Sequence, residues 1–556
     1  MSLKNTALAA LAVIVVPGAL AGACSATANP TEFTGGEGGS GSGSGAGAGS
    51  GQGGGFDFDA GGGTDGGFVG DPTTCEEAAL ARTYIGCDFW PTVVGNNVWS
   101  VFDFAVVVAN AGDQPADVKV MRGADTVASA TIQPNDLGKL YLPWVPELKG
   151  PDTNSCGSAT PMTATVRAPG GAYHLVSSRP VTVYQFNALE YAPQGGPPGK
   201  NWSACPGASC FPFPLACFSY SNDASLLLPS TAMTGNYRIT SYKGWATPAV
   251  NMGGYFAITG TQDGTNVQVK VSPTGQILAG GGVPDTGPNG LVSFSLARGE
   301  VVEVVMAASA DPAGTLVYAD KPVQVIAGMP CTQIPHGSNA CDHIEESVFP
   351  VETLGKHYFV TTPTAPNGGA ASHVVRIFGN VDGTTLTYPG AMPAGAPAAI
   401  NAGQTVDLGL VGVDFEIVGD HEFAVGMFMP GASVLDQAGT GKGDPAQSLS
   451  TAVEQYRTKY IFLAPDDYDT SYVDVVQPLG AKLTLDGVEL NPVVQPISSG
   501  YGAVRLPLGP GKNGAHVLLS TEPVGIQVMG YGSYTSYQYP GGLNLTTIAP
   551  PPPPPN

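Results

Sequence analysis

An all-β fold made of about four tandem repeats of small antiparallel β-sandwich-like units is predicted by three features of this 556-residue chain. Glycine (78) and proline (49) are in excess while charged residues make up 12%, a balance that suits short strands separated by many turns. Apolar–polar alternation recurs between Cys75 and Tyr539 with almost no helical periodicity. The same strand endings also return four times. Because the seams between repeats are short, the alternative architecture closes them into a propeller-like ring.

Taken in order, residues 1–23 read as a signal peptide. Lys4 is the sole side-chain charge before an apolar run over 7–16, which is too short to span a bilayer as a mature helix. The run ends at Leu20-Ala21-Gly22-Ala23-Cys24. Cys24 resembles the lipidated cysteine of a bacterial lipobox, although Ala21 stands where Leu is commonest. Ala21-Gly22-Ala23 also satisfies an A-x-A site for simple secretion. Residues 24–74 are nearly pure Gly, Ser and Ala around 35–55, which predicts a flexible tether with a reach of about 40 Å over about fifty residues. The PPPPPN ending of segment 542–556 predicts an exposed polyproline II tail.

Between tether and tail, four units are expected at 75–219 (with a Cys-rich insertion), 220–343, 344–446 and 447–541. Each closes on an apolar run, a polar break and a second strand: YHLVSSRPVTVYQF at 173–186, TLVYADKPVQVIAG at 315–328, FEIVGDHEFAVGMF at 415–428 and HVLLSTEPVGIQVM at 516–529. Each opens on a strand headed by Tyr84, Tyr237, Tyr358 or Tyr460. Proline before Val181, Val323 and Val524 fits a strand's first residue, where a missing N–H breaks no ladder bond. The Asp-Gly pairs at 263–264, 382–383 and 486–487 are hairpin signals, since they supply the positive φ that tight turns need.

Eight cysteines remain once Cys24 is set aside: Cys75, Cys87, Cys156, Cys205, Cys210, Cys217, Cys331 and Cys341. An even number in an exported chain predicts disulfides. Closeness in sequence favours Cys75–Cys87, Cys210–Cys217 and Cys331–Cys341, leaving Cys156–Cys205. Three of the eight sit in the insertion 188–219, whose Pro/Gly-rich composition makes it the most loop-like recognition surface in the chain.

The formal net charge of −22 argues against nucleic acid as a partner, since backbone phosphate binding needs clustered Lys and Arg. The densest set of metal-ligand types is His336, Asp342, His343, Glu345, Glu346 and His357, with His343, Glu345 and Glu346 as the candidate metal ligands. On a strand, His343 and Glu345 would share a face, but the spacing matches no standard metal motif. The bland reading is that Asp342 and Glu345 cap or hydrogen-bond the turn next to a disulfide while His343 packs or faces solvent. His421-Glu422 lacks the second His of a zincin, and no GxSxG nucleophile elbow is present. Tyr531, Tyr534, Tyr537 and Tyr539 form the best aromatic contact cluster, and the competing reading is sheet packing.

The stretch Cys331 to Val360 carries a family resemblance. Its second cysteine opens Cys341-Asp342-His343-Ile344-Glu345-Glu346, followed by Pro350, Leu354-Gly355-Lys356 and the Tyr358 strand. With KPVQVIAG, NVDGTTLTYPG, IGCDFWPT and NALEYAPQGGPPGKNW, it resembles bacterial, lipoprotein-like members of the IgGFc-binding protein N-terminal domain family. The resemblance covers most of 84–531. It implies a secreted, adhesive or binding β domain and defines no catalytic residues; immunoglobulin binding is not carried over. The expectation is therefore a non-enzymatic binding or adhesion protein, needing no cofactor, exported to the outer membrane or cell surface on a lipid anchor, or secreted. Its partner would be an extracellular protein or glycan, with membrane contact through the anchor alone. The competing expectations are a secreted metal-dependent hydrolase with its site near His343, and a passive structural envelope protein.

Overall fold

The computed structural model of the protein describes residues 71–556 apart from 437, 466, 510, 512, 513 and 556. The expected signal segment, Cys24 and nearly all of the tether lie outside the described residues. The rest is nearly all β, in small antiparallel sheets arranged like a four-bladed propeller. Each blade is a sandwich of two sheets. The second blade shows the plan. One sheet runs Leu291–Leu296, Thr265–Lys270, Leu316–Ala319, Asn236–Arg238; the other runs Asp342–Ser347, Val323–Thr332, Tyr255–Gly260, Val301–Val305. The strand order of both sheets repeats in the other three blades, with an added edge strand in the second and fourth.

The repeated closing element is where the chain crosses between sheets. In the first and fourth blades it is one bent strand, His174–Phe186 and Ala515–Gly532, which pairs with one sheet before the polar break and with the other after it. In the second and third blades the break interrupts the strand, giving Leu316–Ala319 then Val323–Thr332, and Phe415–Gly419 then Phe423–Met429. Two of the three Asp-Gly pairs do not form hairpins. Gly264 (φ +65°) and Gly383 (φ +73°) each join strands of opposite sheets, while Asp486-Gly487 closes a true hairpin with Leu485 opposite Val488. A positive-φ turn serves a hairpin and a sandwich arch alike, and alternation does not reveal which sheet a strand joins.

The repeated tyrosines are locks between blade entry and blade exit. Tyr237, Tyr358 and Tyr460 are fully buried. Each hydroxyl accepts the N–H of the residue three positions earlier (Thr234, Gly355 and Arg457, 3.0–3.1 Å). Each then donates to the carbonyl that follows the polar break: Val323 (2.6 Å), Phe423 (2.6 Å) and Val524 (2.5 Å). Tyr84, in the divergent first copy, instead lies under the Arg457 guanidinium of the fourth blade, 5.2 Å from its ring.

The last strand of each blade lies against the pseudo-fourfold axis. These axial strands are Ala224–Leu227, Asp342–Ser347, Ala446–Leu449 and Thr535–Pro540, and each packs beside the next so that the fourth returns to the first. An inner edge strand leaves N–H groups without a ladder partner. Here one side chain collects them. The Asp223 carboxylate accepts the N–H of Ala224 (2.9 Å), Glu345 (3.1 Å), Gln447 (2.8 Å) and Gln538 (3.2 Å), the equivalent residue of all four strands. Burial pushes the Asp223 carboxyl above the usual carboxylate range, and these donors pull the other way.

Arg–carboxylate pairs tie neighbouring parts of the ring: Arg167–Glu300 (2.9 Å) fastens the added edge strand of the second blade, and Arg376–Asp311, Arg505–Asp414 (2.8 Å) and Arg457–Asp71 follow around it. Tyr184 of the first blade closes the ring on the fourth. Its hydroxyl reaches the carbonyls of Ile461 (3.0 Å) and Gly541 (3.1 Å), and its ring lies 4.8 Å from that of Tyr539. Before the prolines the chain stays packed on the ring. Leu543, Leu545 and Ala549 are buried, and Ile548 and Ala549 donate N–H to the Glu352 carbonyl (2.7 and 3.0 Å). Those apolar residues, not the prolines after them, decide how far the chain stays attached.

Candidate functional site: a stapled loop face

By the blade plan, each axial strand is reached through a connection at the same end of the ring. The four connections are 187–223, 333–341, 430–445 and 533–534, and hydrogen bonds and one close ring contact tie them into one face. Gly431 N–H reaches the Ile334 carbonyl (2.8 Å), Tyr534 N–H that of Gly441 (2.7 Å) and Gly443 N–H that of Gly532 (3.0 Å). Asn339 N–H reaches the Ser433 hydroxyl (3.1 Å). Gly532 lies against the Tyr191 ring, where a Cβ would come within 2.9 Å.

Disulfides at the 187–223 and 333–341 connections hold this face. The eight described cysteines form Cys75–Cys87, Cys156–Cys210, Cys205–Cys217 and Cys331–Cys341, with Cα separations of 4.9–5.7 Å. Two of these pairs correct the sequence-proximity pairing Cys210–Cys217 and Cys156–Cys205. Two short 3-10 turns, Trp202–Ala204 and Pro206–Ser209, direct Cys205 inward against Val98, Trp99 and Phe102, beside Cys217. Cys210 is left nearer the surface, where the exposed Cys156 meets it. The insertion is thus bonded both to itself and to the 151–165 segment.

Within the stapled loop, Phe211 and Phe213 stand 90% and 79% exposed. Isolated apolar residues on a surface need no explanation, but two phenylalanines fixed between paired cysteines form a pre-ordered apolar contact. Sequence reasoning singled out the insertion and not these two residues, although the FPFP run at 211–214, which cannot bury itself in so short a loop, was the available signal. Nearby, the foot of the Cys331–Cys341 loop borders an open cavity of about 500 Å³ that includes Trp245, Val250 and Met252.

The four tyrosines proposed from sequence separate. Tyr534 is 40% exposed at the tip of its connection. Tyr531, Tyr537 and Tyr539 are fully buried, their hydroxyls bonded to the Thr364 carbonyl (2.5 Å), the Ser471 hydroxyl (3.1 Å) and the Leu463 carbonyl. All three belong to the packing of the fourth blade: Tyr531 is near the end of the crossing strand Ala515–Gly532, while Tyr537 and Tyr539 are on the axial strand, which is covered on both faces.

His343, Glu345 and Glu346 also lie on an axial strand and are buried. His343 Nε2 and Glu345 Oε2 share a face, 3.6 Å apart, while Glu346 points to the other. Asn187 donates to Glu345 (2.7 Å). Burial holds Glu346 well above the usual carboxylate range, as it does Asp342 and Asp444, where the two charges also oppose each other. Among the described residues no group of three His, Cys, Asp or Glu side chains converges as a metal site.

The family model described as IgGFc binding protein matches residues 223–530, more than half of the chain, from the axial Asp223 to the last crossing strand. Comparison with curated proteins and with solved structures finds no match.

Proposed function

The chain belongs to the IgGFc-binding protein family, and from that premise we propose that it is a non-enzymatic adhesion or binding protein that engages an extracellular protein or glycan through the stapled loop face. The observation that carries this reading is the pair Phe211 and Phe213, exposed on a disulfide-bonded loop. A rigid aromatic anchor supplies contact area without an ordering cost on binding. The test is an array of purified ligands, headed by an antibody Fc fragment and including matrix proteins and glycans. It is probed with the wild type and the double variant Phe211→Ala/Phe213→Ala. At least one ligand should bind the wild type and lose roughly tenfold or more in affinity with the variant, consistent with hot-spot truncation, while the melting temperature is unchanged. Equal binding by both proteins contradicts the reading.

The same proposal places the protein on a lipid anchor at Cys24 in a bacterial envelope, with 24–74 as its tether. The lipobox-like ending and the four disulfides, which need an oxidising compartment, support it. Intact mass of the native protein should show acyl chains on Cys24 and eight hydrogens gained on reduction; an unlipidated mature chain contradicts the anchor.

A further inference from the structure

Glu190 lies at the root of the insertion and is 2% exposed, yet neither carboxyl oxygen has a hydrogen-bond partner. The backbone N–H groups of Glu190 itself and of Asp103 favour its charged form from outside hydrogen-bonding geometry. Unpartnered oxygens of Glu303 and Glu346 lie in the interior. Glu190 instead borders a cavity of about 310 Å³, with Lys139, Tyr141, Gln194, Gly196 and Asp467. A buried carboxyl left without a donor calls for an explanation, and an adjoining cavity of ligand size supplies one.

We propose that this cavity receives a guanidinium group, such as an arginine side chain of the bound partner, which Glu190 would pair through both of its oxygens. Two free oxygens on one carboxyl match the parallel N–H pairs of a guanidinium. The Tyr141 ring and Leu189 give the cavity apolar wall for the aliphatic stem. The charged groups facing the site are Asp103 and Asp467 against Lys139 and Lys200, and Lys200 is already paired to Asp103. The carboxyl is covered by the turn at Gly195 and Gly196, both left-handed (φ +72° and +78°), and a Cβ on Gly196 would sit 2.8 Å from Oε1. Entry displaces that side-chain-free turn. Burial pushes the Glu190 carboxyl up to about 7, with Asp103 adding to the rise and Lys200 opposing it.

This inference takes the source of the group from the binding reading, but its test uses a free probe. Nα-acetyl-arginine amide is titrated into the full chain by calorimetry at pH 6 and pH 8. Binding should saturate at one site and be about tenfold tighter at pH 8, following the ionised fraction of a carboxyl titrating near 7. It should be lost in Glu190→Gln and absent for the neutral citrulline analogue, a comparison that needs no variant. No saturable binding at pH 8, or equal binding of the citrulline analogue, overturns the proposal. The Phe211→Ala/Phe213→Ala protein should still bind the probe, so failure here leaves the surface reading standing, and the reverse.

Discussion

Tyr358 shows how one side chain can join two links of this fold. Its hydroxyl takes the Gly355 N–H (3.0 Å) and gives to the Phe423 carbonyl (2.6 Å), so the start of the third blade is bonded to its last crossing. The sequence places a tyrosine at each blade opening, and at three of the four, Tyr237, Tyr358 and Tyr460, this lock is the reason, which no alternation pattern contains. Buried carboxyls are the second residue-scale feature. Asp474 is pushed up to about 6 by burial, against its hydrogen bonds from Thr364 and the nearby Arg505, and Glu190 titrates higher still. A raised carboxyl binds its proton more tightly in the folded state, so the stability it contributes is full below about pH 4 and is lost as pH rises through 6 and 7. For Asp474 the difference from 3.8 amounts to about 3 kcal/mol. Asp88 and Asp407 are held below their usual range, chiefly by hydrogen bonds and cations that outweigh their burial, and act in the opposite sense at lower pH. Urea unfolding should therefore show maximal stability between about pH 4 and 6 and a decline toward pH 8 that Asp474→Asn reduces. Stability that rises steadily from pH 5 to pH 8 would contradict these assignments.

At the level of elements, the four closing motifs were legible because each needs an apolar run, a break and a second apolar run in fixed order. Their partners were not. The polar break at Ser177-Ser178-Arg179-Pro180 reads as the gap between two strands, yet His174–Phe186 continues through it as one strand serving two sheets. Three of the axial strands, Ala224–Leu227, Asp342–Ser347 and Ala446–Leu449, begin after long connections, and nothing in the spacing says that their ladders belong to the blade before the connection. The candidate site was legible in part. Pro/Gly content and three cysteines marked the insertion as exposed, whereas the disulfide partners depend on two 3-10 turns that sequence separation cannot encode. Tyr537 and Tyr539, like the rest of their cluster, read either as a contact surface or as sheet packing, since strand alternation predicts one wet face. A strand at the centre of a ring has none.

For the whole molecule, closure is what turns four sandwiches into one body. The hydrophobic core around Tyr184, Tyr242, Phe428, Tyr460 and Tyr539 draws from every blade, and Asp223 binds one N–H from each axial strand. Such an arrangement holds the loop connections in fixed register, which a row of independently hinged sandwiches would not. Binding by a pre-ordered face then avoids the entropy of assembling it. The short seams in the sequence left both a row and a ring open, because ring closure depends on contacts between the first and last blades, more than 270 residues apart at Tyr184 and Ile461.

Hydrogen exchange on the wild type and on Asp223→Asn tests that closure most directly. Asparagine keeps the shape but turns an NH2 group toward donors that need an acceptor, a cost of about 1–3 kcal/mol. Peptides covering 224–227, 342–347, 446–449 and 535–540 should be among the slowest to exchange in the wild type and should all accelerate together, by about tenfold or more, in the variant. Acceleration confined to 224–227, with the other three axial strands unchanged, would contradict a ring locked on a single axial carboxylate.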